Sequence, residues 1–439
     1  MRNEYHRKSP DARKQPPPVP GPNAARLKEA AQLLSTVLTF ALPADAVLSR
    51  WFREQPEIGQ HDRAFLAEAV FGVLRHKIQF DEWAPAATPR QLLLLWLTRT
   101  GGFSRRDLST LLFDDEEAWL DGLRRKAVTA PSLSASAGLP QWIIDSLSAQ
   151  HPAEFILALG RALMQPAPLD LRVNTLRQSR DEALQRLQQD GFSAEATPLS
   201  PVGIRIGGKP GINRHPLFTA GAVEVQDEGS QLLGFLLAPR RGELVVDFCA
   251  GAGGKTLMLG ALMHSQGRLY AFDVSEKRLA RMKPRLKRSG LSNVHPQVIA
   301  HENDSRIKRL AGKIDRVLVD APCSGLGTLR RNPDLKFRQS LESVESLRVK
   351  QAAILASAAR LVKPGGRLVY ATCSLLDAEN GDIVSNFLQS HADFAEISAT
   401  DTLARYGIAP SGCGQRLQLW PQIHHTDGFF AAILERRKV

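Results

Sequence analysis

The spacing of apolar residues predicts that the first part of the chain, residues 24–130, is a helical domain. Apolar positions recur at helical spacing near its start, at Leu27, Ala31, Leu34, Leu38 and Leu42. Residues 65–74 form another apolar helix face, and residues 91–97 are typical of a short buried helix. Strand-like alternation is nearly absent from this part, so we expect a bundle of helices.

A different pattern follows residues 129–138, which are rich in Ala, Ser and Pro and predict a linker. Short strand-like runs there alternate with helical segments, which indicates a small α+β subdomain over residues 139–240. Its predicted helices and strands cover residues 140–149, 170–174, 179–189 and 203–206.

Strands and helices alternate in the last part of the chain, residues 241–439. The predicted strands are residues 244–248, 268–273, 294–299, 316–320, 367–372, 394–398 and 429–434. The predicted helices are residues 256–263, 275–289 and 344–361. This order is typical of an α/β fold with a doubly wound sheet, whose ligands bind at the carboxyl ends of the strands. Only a loop is expected between the last two strands, which allows one of them to run antiparallel.

The first strand of this part leads into a glycine-rich turn and then a helix, over residues 244–256. Small residues let the backbone turn sharply, and the helix N-terminus leaves free N–H donors for a ligand. A phosphate-binding P-loop needs glycine where Cys249 stands, and a dinucleotide site needs glycine or alanine where Thr256 stands. A looser S-adenosylmethionine site also fits. The residues of the candidate cofactor turn are Cys249, Ala250, Gly251, Ala252, Gly253, Gly254 and Lys255.

Acidic residues follow the next two strands. Asp273 ends the second strand and is placed to accept hydrogen bonds from both ribose hydroxyls of an adenosine cofactor, although it could also cap the following helix. Asp304 follows the third strand and is a candidate acceptor for the adenine amino group.

Two cysteines follow adjacent strands, Cys323 after Asp320 and Cys373 after Tyr370-Ala371-Thr372. A thiolate that adds to C6 of a pyrimidine makes C5 nucleophilic enough to accept a methyl group, which is covalent catalysis. Lys255 is a candidate for lowering the pKa of such a thiol, and Asp320 for balancing charge at N3. The residues themselves do not rank the two cysteines as nucleophile and assistant in product release.

The charge balance favours a polyanionic partner, because 57 Lys and Arg face 45 Asp and Glu in 439 residues, a net charge of +12. Candidate RNA contacts are Arg278 in the basic helix 276–288, and Arg330 and Arg331 after the Cys323 loop. Residues 1–23 are basic and proline-rich and predict a disordered tail. None of the four cysteines forms C-x-x-C, and no apolar run is long enough for a membrane span. We therefore expect a cytoplasmic monomer that uses neither a metal nor a membrane.

Several motifs together resemble the Sun/Nop family of S-adenosylmethionine-dependent RNA cytosine-C5 methyltransferases. They are residues 244–256, Asp273, residues 320–325 (DAPCSG), 330–334 (RRNPD), 363–366 (KPGG), 370–374 (YATCS), 379–380 (EN) and 427–430 (DGFF). In residues 249–255 the chain reads Cys-Ala-Gly-Ala-Gly-Gly-Lys where the family usually has Cys-Ala-Ala-Pro-Gly-Gly-Lys. Losing the proline loosens the turn and removes no donor needed by the cofactor.

This resemblance implies a Rossmann-like methyltransferase domain with S-adenosylmethionine as cofactor and an unpaired or flipped RNA cytosine as substrate. It implies that Cys373 is the nucleophile and that Cys323 assists product release; the inverse assignment is the runner-up. Residues 62–75 also resemble the NusB-like helical domain of some RNA methyltransferases, which points to the bacterial members acting on 16S ribosomal RNA and to RNA binding by residues 139–240. The alternatives are a P-loop ATPase with Lys255 on phosphates and Asp320 on a metal, and a non-catalytic RNA-binding protein.

Overall fold

The computed structural model describes residues 21–125, 131–208 and 210–438. The predicted disordered tail, residues 1–23, lies outside the described residues except for its last three positions. Within these described ranges, no helix is both long and apolar enough to cross a lipid bilayer.

The N-terminal part is a bundle of helices around an apolar core. Its helices are α1 (Ala24–Val37), α2 (Ala44–Glu54), α3 (Gln60–Trp83), α4 (Pro89–Arg99), α5 (Arg105–Leu108), α6 (Asp114–Arg125) and α7 (Leu133–Ala137). Helix α4 starts with a capping box at Thr88 followed by Pro89, and residues 92–97 are all buried in the bundle. Helices α3 and α4 pack closely, since a Cβ atom on Gly72 would lie 2.1 Å from the Trp96 ring. The likeness of this bundle to NusB stays a prediction.

One expectation for this part is wrong. Helix α1 ends at Val37, so Leu42 does not continue its apolar face and is 51% exposed. The backbone of Phe40 adopts a positive φ of 54°, which breaks the helix before Leu42. Helix α7 covers half of the predicted linker, whose first two residues, 129 and 130, lie outside the described residues; Ser132 caps the start of the helix and Gly138 ends it in the left-handed conformation.

A smaller domain follows and contains a four-stranded antiparallel sheet in the order β2-β3-β1-β4. Its elements are α8 (Gln141–Ser148), α9 (Ala153–Leu163), β1 (Leu169–Val173), α10 (Arg180–Gln189), β2 (Ala194–Ala196), β3 (Gly203–Ile206), α11 (Pro216–Thr219) and β4 (Val223–Val225). The sequence pattern predicts β1 and β3 but misses the three-residue strands β2 and β4, which are too short to show an alternation.

The C-terminal part is a doubly wound sheet with helices on both faces, which confirms the predicted α/β fold. Its strands are β5 (Leu244–Asp247), β6 (Arg268–Asp273), β7 (Val294–Val298), β8 (Ile314–Asp320), β9 (Val362–Thr372), β10 (Phe394–Ile397), β11 (Leu417–Leu419) and β12 (Phe429–Arg436). Its helices are α12 (Glu228–Leu237), α13 (Gly254–Leu262), α14 (Glu276–Ser289), α15 (Ser305–Lys308), α16 (Leu335–Arg338), α17 (Leu341–Ala359), α18 (Gly381–Ser390), α19 (Ala399–Ala404) and α20 (Pro421–His424).

The strand order is β10-β12-β9-β8-β5-β6-β7, and β11 pairs with β12. Strand β12 runs antiparallel to both β9 and β10, whereas β5 to β9 are mutually parallel. One of the last two predicted strands is therefore antiparallel, as the pattern allows. The segment between them is not a simple loop, since α19, β11 and α20 lie there. Because the strands β5, β6, β8 and β9 are parallel, the residues that follow them meet at one edge of the sheet.

The helical bundle packs against the segment that follows β8. The buried Lys336 Nζ donates hydrogen bonds to the carbonyl oxygens of Arg75, at 2.9 Å, and Gly138, at 2.8 Å. Burial lowers the pKa of this ammonium group to about 7. Two further contacts join the same parts, from the Ala44 amide to Asp334 (3.2 Å) and between the stacked rings of Phe40 and Phe337 (4.9 Å).

Candidate active site

The glycine turn lies between Asp247, the last residue of β5, and the start of α13 at Gly254. Gly251 and Gly253 adopt positive φ angles of 55° and 86°. A Cβ atom at Gly253 would lie 2.5 Å from Met282, whereas one at Gly251 would meet nothing within 4 Å. The turn is therefore closed toward α14 and open on the side of Gly251, where a ligand can approach the backbone.

Asp247 anchors the turn from inside the sheet. Its carboxylate is fully buried and accepts a hydrogen bond of 2.6 Å from the hydroxyl of Thr256 in α13. Burial raises the pKa of Asp247 to about 7. Thr256, which stands where a dinucleotide site needs glycine or alanine, thus links the end of β5 to the start of α13.

Two arginines hold the turn from outside, and the sequence pattern gave no sign of them. Arg172 in β1 donates to the carbonyl of Gly254 at 3.1 Å, and Arg285 in α14 donates to the carbonyl of Ala252 at 2.7 Å. Both cations lie near Glu224 of β4, which pairs with Arg285 at 3.1 Å. Burial lowers the pKa of Arg172 to about 10. The small domain therefore helps to fix the shape of the turn.

Asp273 lies at the end of β6 beside the turn. One oxygen of its carboxylate accepts from the Gly251 amide at 2.8 Å and the other from the Ser275 amide at 2.7 Å. Each carboxylate oxygen can accept a second hydrogen bond, so these contacts leave acceptor capacity for a ligand. Asp273 therefore contacts the start of α14 through Ser275, and its contact with a ribose stays a prediction.

Asp304 has a structural contact that the sequence analysis did not predict. It is the N-cap of α15 and accepts from the amides of Arg306 (2.9 Å) and Ala300 (3.0 Å). The hydrogen bond from Ala300 is the main reason why its pKa is lowered. Its contact with an adenine group stays a prediction.

Exposed apolar side chains lie next to Asp273. Val274 is 55% exposed, and Val298, the register partner of Asp273 in β7, is 36% exposed. These side chains give the edge beside Asp273 an apolar surface. Sequence reasoning missed both, because an apolar residue at a strand end is expected to be buried.

The structure brings the two candidate catalytic cysteines together. The sulfur atoms of Cys323 and Cys373 lie 3.4 Å apart, because β8 and β9 are paired with Asp320 opposite Ala371. The hydrogen bond with Cys373 and burial raise the pKa of Cys323 well above its ordinary value. Cys323 therefore holds its proton at neutral pH.

Lys255 and Asp320 form an ion pair of 2.6 Å at the same edge. Burial disfavours the lysine charge, but the ion pair with Asp320 and a smaller electrostatic interaction with Cys373 offset this, so that the pKa of Lys255 is raised. Lys255 Nζ also lies 5.6 Å from the ring centroid of Phe429. A permanent cation therefore stands within electrostatic reach of the Cys373 sulfur.

Glu379 links the two loops that carry the cysteines. This fully buried carboxylate accepts from the Ser324 amide at 2.8 Å, from the hydroxyls of Ser324 and Ser374, and from the Gln351 side chain at 2.9 Å. Ser324 follows Cys323 and Ser374 follows Cys373, so a single carboxylate positions both loops. The motif of residues 379–380 carries the family resemblance, but the sequence alone assigns Glu379 no role.

Arg330, a predicted RNA contact, is buried in the structure, and its contact with RNA stays a prediction. Its side chain is 6% exposed and pairs with Asp427 at 3.3 Å. Arg331 belongs to the same network, with Asp427 at 2.6 Å and Asp227 at 3.0 Å. These arginines are neutralised by carboxylates from distant parts of the chain and stabilise the fold.

Arg278 differs, because it lies exposed in the first turn of the basic helix α14. Its contact with RNA stays a prediction. Across the parts of the chain that the structure covers, no group of three or more His, Cys, Asp or Glu residues could hold a metal ion.

Comparison with known proteins identifies the chain. The family model for the 16S rRNA methyltransferase RsmB/F matches residues 234–435, and a model for the ferredoxin-like domain of RsmF/B-like methyltransferases matches residues 139–213. A probable ribosomal RNA small subunit methyltransferase B of Synechocystis is 37% identical over 70% of this chain and 68% of its own length. The ribosomal RNA small subunit methyltransferase B of Shewanella oneidensis is 32% identical over 85% of this chain and 90% of its own length.

Solved structures agree with this result. The crystal structure of PH0851 is 25% identical, covers 95% of this chain and 99% of its own, and superimposes with a TM-score of 0.79. A methyltransferase homologue from Pyrococcus horikoshii is 29% identical, with 70% and 100% coverage and a TM-score of 0.60. The P-loop ATPase alternative is therefore wrong, and the resemblance to the Sun/Nop family is confirmed. The chain belongs to the RsmB/F family of ribosomal RNA methyltransferases, whose methyl donor is S-adenosylmethionine.

Proposed function

We propose that this protein methylates C5 of a cytosine in 16S ribosomal RNA through a covalent bond between a cysteine and C6 of the base. The observation that carries the proposal is the 3.4 Å approach of the Cys323 and Cys373 sulfur atoms beside the Lys255–Asp320 ion pair. A methyltransferase that acts on a nucleophilic nitrogen or oxygen has no use for two adjacent thiols at this edge.

Cytosine C5 is a poor nucleophile until a thiolate adds to C6, after which C5 can attack an electrophilic methyl group. A base, for which solvent water suffices, then takes the C5 proton, and the electrons of the C5–H bond re-form the C5–C6 double bond as the cysteine departs from C6 as a thiolate. S-adenosylmethionine supplies the electrophilic methyl group. We assign the attack to Cys373, as the resemblance to the Sun/Nop family implies, and the positive charge of Lys255 lies within electrostatic reach of its sulfur. Cys323 keeps its proton, which suits assistance in product release better than attack.

Asp320 is placed to balance charge on the base. Its Oδ2 binds Lys255, and its Oδ1 has no hydrogen-bond partner among the described residues. A carboxylate oxygen there would accept a hydrogen bond from protonated N3 of cytosine, whose positive charge draws electrons from C6 and promotes the thiolate addition.

The cofactor fits the edge formed by β5, β6 and β7. The turn from Cys249 to Lys255 offers backbone donors on its open side at Gly251, and Asp273 keeps acceptor capacity for the ribose hydroxyls. Val274 and Val298 would cover the two faces of the adenine ring, which explains their exposure, and Asp304 would receive its amino group.

The RNA must present an unpaired or flipped cytosine, since the two cysteines are only partly exposed. The basic helix α14, with Arg278, would contact phosphates. Residues 24–130 and 139–240 would add to the RNA surface, with the enzyme acting as a monomer in the cytoplasm, where ribosomal subunits are assembled.

The experiment uses three alanine variants and 16S ribosomal RNA from cells that lack this protein. Cys373→Ala should form neither 5-methylcytosine nor a covalent adduct. Cys323→Ala should methylate but stall before release, so that an adduct survives denaturing electrophoresis. Cys413→Ala, which removes a partly buried thiol that contacts the Arg416 carbonyl, is the matched control and should behave as the wild type.

Two outcomes would contradict the proposal in different ways. An adduct in Cys373→Ala and none in Cys323→Ala would reverse the two roles. Full activity in both variants, or methylation mapped to a base nitrogen or a ribose oxygen, would end the cysteine mechanism.

A further inference from the structure

A cavity of about 170 Å³ lies at the edge of the sheet opposite the cysteines. Four arginines line it, together with two hydroxyl-bearing residues, and none of its lining residues is acidic. The polar residues in question are Arg240, Arg316, Arg367, Arg405, Thr402 and Tyr406. Since Arg367 precedes the end of β9 by five positions, this cavity lies roughly 17 Å from the catalytic edge.

Arg367 is the centre of this cluster. Its side chain is 6% exposed and gives one hydrogen bond to the Leu236 carbonyl at 2.9 Å, while its Nε is buried and has no partner in the described residues. Arg316 lies directly opposite it in the pairing of β8 with β9. Like charges in this position destabilise a sheet, and burial together with Arg316 lowers the pKa of Arg367 to about 10.

The nearby carboxylates offset only part of the charge of the cluster. Glu435 lies opposite Arg367 in the pairing of β9 with β12 and acts to raise its pKa, but it forms no ion pair with it among the described residues. Glu243 pairs with Arg316 at 3.2 Å, but it does not line the cavity. The exposed side chains of Arg240 and Arg405 have no acidic partner within the described ranges. A buried guanidinium with an unpaired Nε, beside two exposed arginines that have no acidic partner, favours the binding of an anion.

A larger cavity of about 590 Å³ shares Arg240, Arg316, Arg367 and Arg405 with the first. It adds polar groups that can bind hydroxyls and amides, namely Ser398, Asp401, Gln415 and Glu435. Glu396 also lines it but is bound by Arg416 at 2.7 Å. The combined space therefore suits a ligand with an anionic end and a polar, uncharged body.

We propose that the arginine cavity is a second binding site, distinct from the methyl-transfer site, for the phosphate group of a nucleotide. The planar guanidinium groups match the oxygens of a phosphate, and the larger cavity accepts the sugar and base. The phosphate belongs either to a nucleotide of the RNA chain or to a free nucleotide.

The test uses the full-length protein with S-adenosylhomocysteine in excess, so that the cofactor site is filled. Calorimetry with inorganic phosphate and with AMP measures binding of a free phosphate, and anisotropy with a single-stranded RNA oligonucleotide measures binding of a chain. The variant R240A/R405A removes two exposed side chains of the cluster and should leave the fold intact. The control R53A/R309A removes the same charge from exposed positions elsewhere.

We expect the affinity for AMP or for RNA to fall at least tenfold in R240A/R405A and to change less than twofold in the control. If R240A/R405A loses affinity for AMP and phosphate, the ligand is a free nucleotide. If it loses affinity for RNA alone, the ligand is a phosphate of the RNA backbone. Arg367→Gln, which keeps a polar side chain at the buried position, should lower the affinity for the same ligand. Equal affinities in wild type and R240A/R405A for all three probes, or an equal loss in the control pair, would overturn the proposal.

Discussion

The sulfur atoms of Cys323 and Cys373 lie 3.4 Å apart, although 50 positions separate the two residues in the chain. This contact makes the two thiols a coupled pair, in which the proton on Cys323 is stabilised by its neighbour and by burial. The reactivity of one cysteine therefore depends on the presence of the other.

The first prediction concerns this coupling. Removing the Cys373 sulfur, as in Cys373→Ala, takes away the largest cause of the raised pKa of Cys323. The thiolate fraction of Cys323 at pH 8 should increase, and its alkylation by iodoacetamide should become several-fold faster, as measured by peptide mass spectrometry. Cys249 is an internal control, because burial and nearby carboxylates raise its pKa. An unchanged Cys323 rate would show that the two thiols are independent.

The second prediction concerns Asp273. Asp273→Ala frees the amides of Gly251 and Ser275 and removes the proposed ribose acceptor. Hydrogen bonds to a charged group contribute about 1.5–3 kcal/mol, so affinity for S-adenosylhomocysteine in calorimetry should fall tenfold or more. Asp107→Ala, which removes a comparable capping contact with Ser104 in the helical bundle, should not change it. Tight binding by Asp273→Ala would show that the ribose is held elsewhere.

The third prediction concerns the packing beneath Cys373. A Cβ atom on Gly327 would lie 2.2 Å from the Gly428 carbonyl and 2.8 Å from the Cys373 carbonyl. Gly327→Ala should displace the Cys373 loop and lower the rate of methyl transfer at least tenfold, while cofactor affinity is retained. Gly414→Ala, where a Cβ atom meets nothing within 4 Å, is the control. Equal rates for the two variants would mean that the loop adjusts without cost.

The fourth prediction concerns Lys336, whose pKa falls from 10.5 to about 7 on burial. Between these values the unfolded chain binds one more proton than the native protein, so stability rises with pH, by at most about 1.4 kcal/mol per pH unit. In denaturant titrations, the unfolding midpoint of the wild type should increase between pH 7 and 9. Lys336→Met should lack the share of this increase that comes from Lys336. The exposed Lys308→Met should keep the wild-type slope. The same slope in Lys336→Met would assign the pH dependence to other groups.

Much of the sheet can be predicted from the sequence, because strand patterns are local. Strand β6 has the predicted bounds, and the predicted positions of β5, β7, β8 and β9 lie within a few residues of the observed ones. The placement of Cys323 and Cys373 at one edge follows from parallel strands alone, since their carboxyl ends must meet there. Short strands such as β2 and β11 escape prediction, because three residues cannot display a period.

The partners of the charged residues could not be predicted from the sequence. The basic pair Arg330 and Arg331 suggests an RNA surface, yet its partners Asp227 and Asp427 come from distant parts of the chain. A local pattern gives the sign of a charge but not the carboxylate that neutralises it.

The sequence by itself determined the α/β sheet, the glycine turn and the pair of cysteines, because each depends on neighbouring residues or on strand direction. The tertiary structure decided which polar groups meet. It placed Glu379 between the two cysteine loops, Arg172 behind the glycine turn and four arginines around one cavity. These contacts join residues far apart in the chain, and only folding brings them within hydrogen-bonding distance.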